Sequence, residues 1–157
     1  EALSEYAAAA AAKLRAQGSV CSGVAAFIMT GRYENDRYYK GGYLSLPVPT
    51  AETSAIIRKV LDIADRVYVK GKRYAKAGVV LTGISGRGDL QLDLFQAGYY
   101  NSKKERLMAA VDRLNSRWGG RAVAYASAGI KKPWSMRRGA LSPRYTTSWK
   151  DIPAVRA

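Results

Sequence analysis

Apolar positions fall into two rhythms along this chain. At the start, Leu3, Ala7, Ala10 and Leu14 recur at spacings of four, three and four, which puts them on one stripe of a helix over Glu1 to Gln17. The alanine run has the highest helix propensity of any residue, and Gly18 suits a C-terminal cap. Ile56, Val60, Ile63 and Val67 repeat the spacing behind Thr50, a capping residue, with Arg58, Lys59, Asp62 and Arg66 on the wet side and Gly71 at the end. Leu107, Val111, Leu114 and Trp118 mark a third helix, opened by a Ser102–Glu105 capping-box pair and stopped by Gly119. Elsewhere the period drops to two. Val20 to Thr30 is apolar on both faces, Val24, Ala26 and Ile28 alternating with Ala25, Phe27 and Met29. Arg37 to Leu46 holds Tyr38, Tyr39, Tyr43 and Leu44, which favour strands, and Pro47 and Pro49 are expected to stop it. Tyr74 to Ile84 sets Ala75, Ala77, Val79 and Leu81 on one face and Tyr74, Lys76, Gly78, Val80 and Thr82 on the other. Arg121 to Ser127 predicts one more short strand, and the proline-bearing residues beyond it read as irregular or ordered by a partner.

The order up to Ile84 is helix, strand, strand, helix, strand. This is a ferredoxin-like βαββαβ pattern without its first strand. The expected class is therefore α+β: an antiparallel sheet with two helices on one face, the other face open, plus a small helix–strand C-terminal extension. Ser85 to Asp89 is glycine-rich and breaks the pattern. The expected organisation is a first domain over 1–84, a linker over 85–101 and an extension over 102–157. Helical spacing runs to the first residue with no N-cap before Glu1, as it would in a fragment.

Composition narrows what such a fold can do. The chain has 157 residues, 48% hydrophobic and 24% charged, enough for one domain, or one small domain with an extension. It has no histidine, which removes the commonest general base and every Ser-His-Asp or Cys-His triad within the chain. A single cysteine, Cys21, excludes an internal disulfide and a cysteine-based zinc site, and reads as a small core residue. The uncharged stretch Gly18 to Gly31 is too short and too polar to span a membrane. Lys and Arg number 26 against 12 Asp and Glu, a net charge of +14. Such an excess points to a polyanionic partner, nucleic acid ahead of an anionic membrane. The excess is uneven: residues 1–49 hold 5 basic and 4 acidic side chains, whereas 91–157 hold 13 and 4.

Three segments bear a resemblance. Tyr74 to Leu81, YAKAGVVL, resembles the last strand of the little-finger domain of Y-family translesion DNA polymerases. Gln91 to Phe95, QLDLF, is similar to the pentapeptide by which bacterial polymerases bind the sliding clamp. Leu141 to Thr147, LSPRYTT, resembles the C-terminal signature of UmuC-type subunits of that family. The segments occur in the family's order. The resemblance implies a little finger that lies along duplex DNA, followed by a clamp-binding linker and an assembly module. It also implies a bacterial, cytoplasmic protein of the SOS response to DNA damage, with a UmuD′-type dimer and RecA as partners of the C-terminal region. The family's palm, whose carboxylates bind the two magnesium ions of nucleotide addition, has no counterpart here. The chain itself is thus expected to be no enzyme and to need no cofactor.

Phosphates are met by Lys, Arg, Ser, Thr and Tyr side chains and by backbone N–H groups, contacts that position without reading sequence. Lys76 and Thr82 project from the last strand, Lys72 and Arg73 stand before it, Gly78 leaves room for a close backbone, and Arg37 and Lys40 lie on the middle strands. These are the candidate DNA contacts. In the pentapeptide, Leu94 and Phe95 are the apolar anchors, each contributing about 1.5–3 kcal/mol when buried. Gln91 can fix the register by donating and accepting hydrogen bonds, Leu92 adds a side contact, and Asp93 completes the motif. The basic tail, with Lys131, Lys132, Arg137, Arg138, Arg144 and Trp134, suits DNA, an acidic protein or a nucleoprotein filament equally. Two rival readings stand beside this one. One is a clamp-tethered DNA-binding adaptor with no polymerase parent. The other is an RNA-binding ferredoxin-like domain, which would expose aromatic rings on its sheet and prefer single strands.

Overall fold

The computed structural model describes residues 1–89, 102–119, 122–135, 139 and 141–153. Its elements in chain order are α1 (Ala2–Ala16), β1 (Ser19–Thr30), β2 (Tyr39–Thr50), α2 (Thr53–Val67), β3 (Tyr74–Gly86) and α3 (Ser102–Trp118). Among the described residues the strands form one antiparallel sheet in the order β2-β1-β3. The class is the α+β arrangement expected, with α1 and α2 on one face.

The central strand explains the layering. Val24, Ala26 and Ile28 of β1 point to the helices and are buried, with Leu44 and Leu46 of β2 and Ala77, Val79 and Leu81 of β3 packed alongside. From above they meet Leu3, Ala7, Ala11 and Leu14 of α1 and Ile56, Val60, Ile63 and Val67 of α2. The alanines of α1 let the helix approach closely, since a methyl group is all that separates the backbones there. Gly42 meets Ile63 in the same way: an added Cβ would lie 3.0 Å from the Ile63 side chain.

Several local expectations change. Pro47 and Pro49 do not stop β2, which runs on to Thr50. They lie in an irregular stretch where Ser45 to Thr50 opposes only Gly23 to Cys21, on an edge strand. A proline there removes no ladder hydrogen bond. Thr50 does not cap α2, whose N-cap is Glu52. Its hydroxyl instead accepts the Glu52 backbone N–H at 3.1 Å, turning the chain into the helix. The glycine-rich break begins later than expected, because β3 continues to Gly86 and a 3₁₀ turn follows at Arg87–Asp89. A register shift between Met29 and Thr30 flips the start of β3. Tyr74 therefore packs on the helix side, where its hydroxyl donates to Val69 O at 3.0 Å, and Ala75 is exposed.

The extension differs most. The expected strand over Arg121 to Ser127 is absent among the described residues. The Val123 backbone is instead bracketed by Asn115, which donates to Val123 O at 3.0 Å and accepts from its N–H at 2.9 Å, and Ala126–Ala128 form a 3₁₀ turn. The Asn115 side chain thus takes the two backbone groups that Val123 would offer to a ladder. Of the stripe Leu107, Val111, Leu114 and Trp118, Val111 is half-buried and the other three are 57%, 43% and 59% exposed. The inward face of α3 is Lys104, Met108, Asp112 and Asn115, one turn apart along the helix. Met108 is buried, Lys104 Nζ reaches Glu52 Oε2 at 2.9 Å, and Asp112 receives Arg15 Nε and Nη2 at 2.6 and 2.7 Å. Polar pairing, not apolar area, decided the rotation of this helix.

Arg15 is the knot of the arrangement. Besides Asp112 it donates to Ala51 O at 2.7 Å and Thr53 Oγ1 at 2.8 Å, so one side chain joins α1, the start of α2 and α3. The pair is partly exposed, so the Arg15→Ala variant is expected to lower the urea unfolding free energy by about 2 kcal/mol and to make α3 protease-sensitive first. Glu52 adds a pH dependence. Burial alone would raise its pKa, but hydrogen bonds from Ser54 and Lys104 and the charges of Lys104 and Arg58 outweigh burial and hold it below the ordinary 4.5. The unfolded chain thus binds this proton more tightly than the folded one. The stability it contributes is complete above that ordinary value and is lost as pH falls through the lower folded one. In urea titrations across this acid range, Glu52→Gln is expected to flatten the loss of stability.

Candidate nucleic-acid interface

The strand alternation that buries one face of the sheet fixes what the other displays. Four rows cross the open face through registered partners: Tyr39–Met29–Lys76, Gly41–Phe27–Gly78, Tyr43–Ala25–Val80 and Ser45–Gly23–Thr82. No carboxylate stands in any row. Tyr39 and Tyr43 are 69% and 59% exposed, and Val80 and Ile84 are also exposed.

Glycines shape this surface. A Cβ on Gly78 would stand 2.3 Å from the Phe27 ring, and one on Gly23 would stand 2.6 Å from the Tyr43 ring and 2.6 Å from Thr82 Oγ1. Phe27 therefore lies over Gly78 and Tyr43 crosses Gly23. Phe27 and Tyr39 are 5.9 Å apart between centroids. The room that Gly78 was expected to leave for a DNA backbone is taken by the protein's own ring.

At one end of the face a cleft of about 410 Å³ opens between the ends of β1, β2 and β3. Its lining includes Arg32, Arg37, Lys76, Tyr39 and Met29. The structure thus brings Arg37 and Lys76 together, from a loop and a strand. It adds Arg32, which sequence reasoning passed over because nothing in a loop between strands marks it. Arg32, Arg37, Arg73 and Lys76 make no ion pair among the described residues. The loop carboxylates Glu34 and Asp36 stand outside the cleft lining, and Asp36 is held by Lys72.

The other candidates separate. Arg73 is exposed just before β3, and Thr82 is half-buried on the open face beyond the rings. Lys72 is withdrawn: its ammonium binds Asp36 and sits 5.2 Å from the centre of the Tyr38 ring. Lys40 pairs with Ile28, whose side chain faces the helices, so Lys40 is exposed on the edge of the opposite face. Tyr38 is also turned inward, its hydroxyl donating to Val67 O at 2.7 Å. The pentapeptide Gln91, Leu92, Asp93, Leu94 and Phe95 lies outside the described residues.

In the tail, Lys132 is tied to Glu5 Oε2 at 2.5 Å, and the Trp134 ring meets Tyr6 edge-on at 5.8 Å. Lys131 and Arg144 are exposed. Arg137 and Arg138 lie outside the described residues. Cys21 is buried against the helices, and burial pushes its thiol up to about 11, so it remains an inert thiol at neutral pH.

Residues 1–94 match the model of the impB/mucB/samB family C-terminal domain, and 105–155 match a domain of unknown function. Protein SamB of Salmonella typhimurium is 37% identical over 99% of this chain and 37% of its own length. Protein UmuC of Salmonella typhimurium strain LT2 is 34% identical over 99% of the chain and 37% of its own length. Protein MucB of Escherichia coli is 37% identical over 98% and 36%. The chain therefore spans a little over a third of the length of these relatives. Since the family's model covers more than half of these residues, and full-chain alignments to SamB, UmuC and MucB run through both segments, the chain belongs to the impB/mucB/samB family and its residues 1–94 are that family's C-terminal domain.

Proposed function

We propose that this chain is the DNA-holding and clamp-binding C-terminal part of an error-prone translesion polymerase. The observation that supports this most is the uncovered sheet face ending in a cleft where Arg32, Arg37 and Lys76 converge without carboxylate partners. Cations from one loop and from β3 gain nothing from folding by standing together, since they repel. A phosphate backbone relieves that repulsion and releases counterions. Contacts of this kind ignore base identity, which suits a polymerase that must hold damaged template. The residues proposed to hold the duplex are Arg32, Arg37, Arg73 and Lys76, with Thr82 as a neutral donor. Lys72 serves its loop.

The rest of the reading rests on family membership. Gln91 to Phe95 comes shortly after β3 in the chain, with all but Phe95 within the span of the family model, and is the proposed hook for the sliding clamp. The extension from α3 onward, with its exposed stripe and basic tail, is the proposed seat of a UmuD′-type dimer and of RecA. The magnesium-dependent addition of nucleotides, in the bacterial cytoplasm during the SOS response, belongs to the parent polymerase. No residue here is assigned to it.

Two measurements test the proposal. Four phosphate contacts give a slope of about −3.6 for log K against log salt on duplex DNA, and Lys76→Ala reduces its magnitude by about 1 for every sequence alike. A salt-independent affinity contradicts the assignment. Joint replacement of Leu94 and Phe95 by alanine is expected to abolish binding to the sliding clamp in a pull-down while the DNA slope stays as it was. Clamp binding that survives this double change removes the hook from the account.

A further inference from the structure

The centre of the open face is chemically unlike its rim. The rim offers cations, but the rows between offer Tyr39, Phe27 and Tyr43 on a floor of Gly23, Gly41 and Gly78. A phosphate backbone gains little from such a floor, since the rows contribute a single ammonium, that of Lys76. Within a duplex the flat faces of the bases are already stacked on one another. Unpaired bases, in contrast, have free π faces, and aromatic side chains on a sheet are what stack against them.

We infer that the open face binds single-stranded DNA, with unpaired bases stacked on Tyr39, Phe27 and Tyr43 and the adjoining phosphates held by Arg32, Arg37 and Lys76. The inference rests on the nucleic-acid reading of this same face and names the form of DNA that occupies its centre. Three features on the page single out that occupant. Tyr39 and Tyr43 are four residues apart on one strand, about 13 Å, with Phe27 between them on the neighbour, a platform for two or three successive bases. The two tyrosine rings stay exposed and Phe27 half-buried because the helices occupy the other face. The charge beside them is positive, with no carboxylate in the four rows, which matches the phosphates of a nucleic acid and disfavours a second copy of this chain, whose net charge is +14.

The glycines are part of the platform. With a Cβ at position 78 the Phe27 ring would have to lift off the sheet, and with one at position 23 the Tyr43 ring would do the same. The face is thus built for rings that lie over backbone, leaving their outer surfaces to a ligand.

The test compares a labelled oligothymidylate with a duplex of equal length by fluorescence anisotropy, using the whole chain. The single strand is expected to bind more tightly than the duplex. Tyr39→Ala and Tyr43→Ala are each expected to weaken the single strand about tenfold. Tyr43→Ala, outside the cleft, is expected to leave duplex affinity and its salt slope unchanged, and Tyr43→Phe, which keeps the ring, to retain affinity for the strand. Both tyrosines are largely exposed, so the alanine variants are expected to keep the parent's circular dichroism and urea midpoint. Alanine variants that bind the strand as well as the parent overturn the inference, as does an equal loss on strand and duplex from Tyr43→Ala. A duplex that binds while the single strand does not defeats this inference and leaves the proposed function standing. Failure to bind either form defeats both. A sedimentation profile in which the parent self-associates through this face, and the tyrosine variants do not, overturns it in favour of a second copy of the chain.

Discussion

The covering of the sheet from one side is the constraint on which the rest depends. β1 has apolar residues on both faces, yet the helices reach only one of them. Val24, Ala26 and Ile28 are sealed beneath α1 and α2, while Ala25, Phe27 and Met29 are left to the other side. A strand apolar on both sides ordinarily implies two covers. Here the second cover is supplied in part by the sheet's own rings, Phe27 laid over Gly78 and Tyr43 over Gly23. The open face is consequently smooth and aromatic in the middle and cationic at the end where the Gly31 to Tyr38 loop folds back.

The extension follows another logic. α3 is held by Arg15, Glu52 and the buried Met108, and Arg87 pairs with Glu105 at its start. Ion pairs of this exposure are individually weak and are screened by salt. Their effect lies in orientation: by claiming Lys104 and Asp112 they turn Leu107, Leu114 and Trp118 outward. An amphipathic helix whose apolar stripe faces away from its own domain has its polar attachments to thank for it.

Much of this was readable in advance. The spacing of Ile56, Val60, Ile63 and Val67 located α2, and the alternation of Ala77, Val79 and Leu81 located the buried face of β3, because those positions obey the period of their own element. The YAKAGVVL, QLDLF and LSPRYTT segments pointed to the family that the comparisons identify. What was misread involves partners remote in sequence. Lys40 and Lys72 look like Lys76 on the page. One is turned to the helix side by the register of β2, and the other is claimed by Asp36, 36 residues away.

The amino-acid order therefore determined by itself the elements up to Gly86, the inner faces of α1, α2 and β1, and the strongly positive net charge. These follow from periodicities of two and 3.6 and from a count of ionisable groups, both properties local to the chain. Tertiary structure alone decided that Arg32 joins Arg37 and Lys76, that Phe27 fills the space over Gly78, and that α3 shows its leucines to solvent. Each of those outcomes depends on which distant side chain arrives first at a hydrogen bond or a van der Waals gap, and spacing along one segment holds no record of that competition.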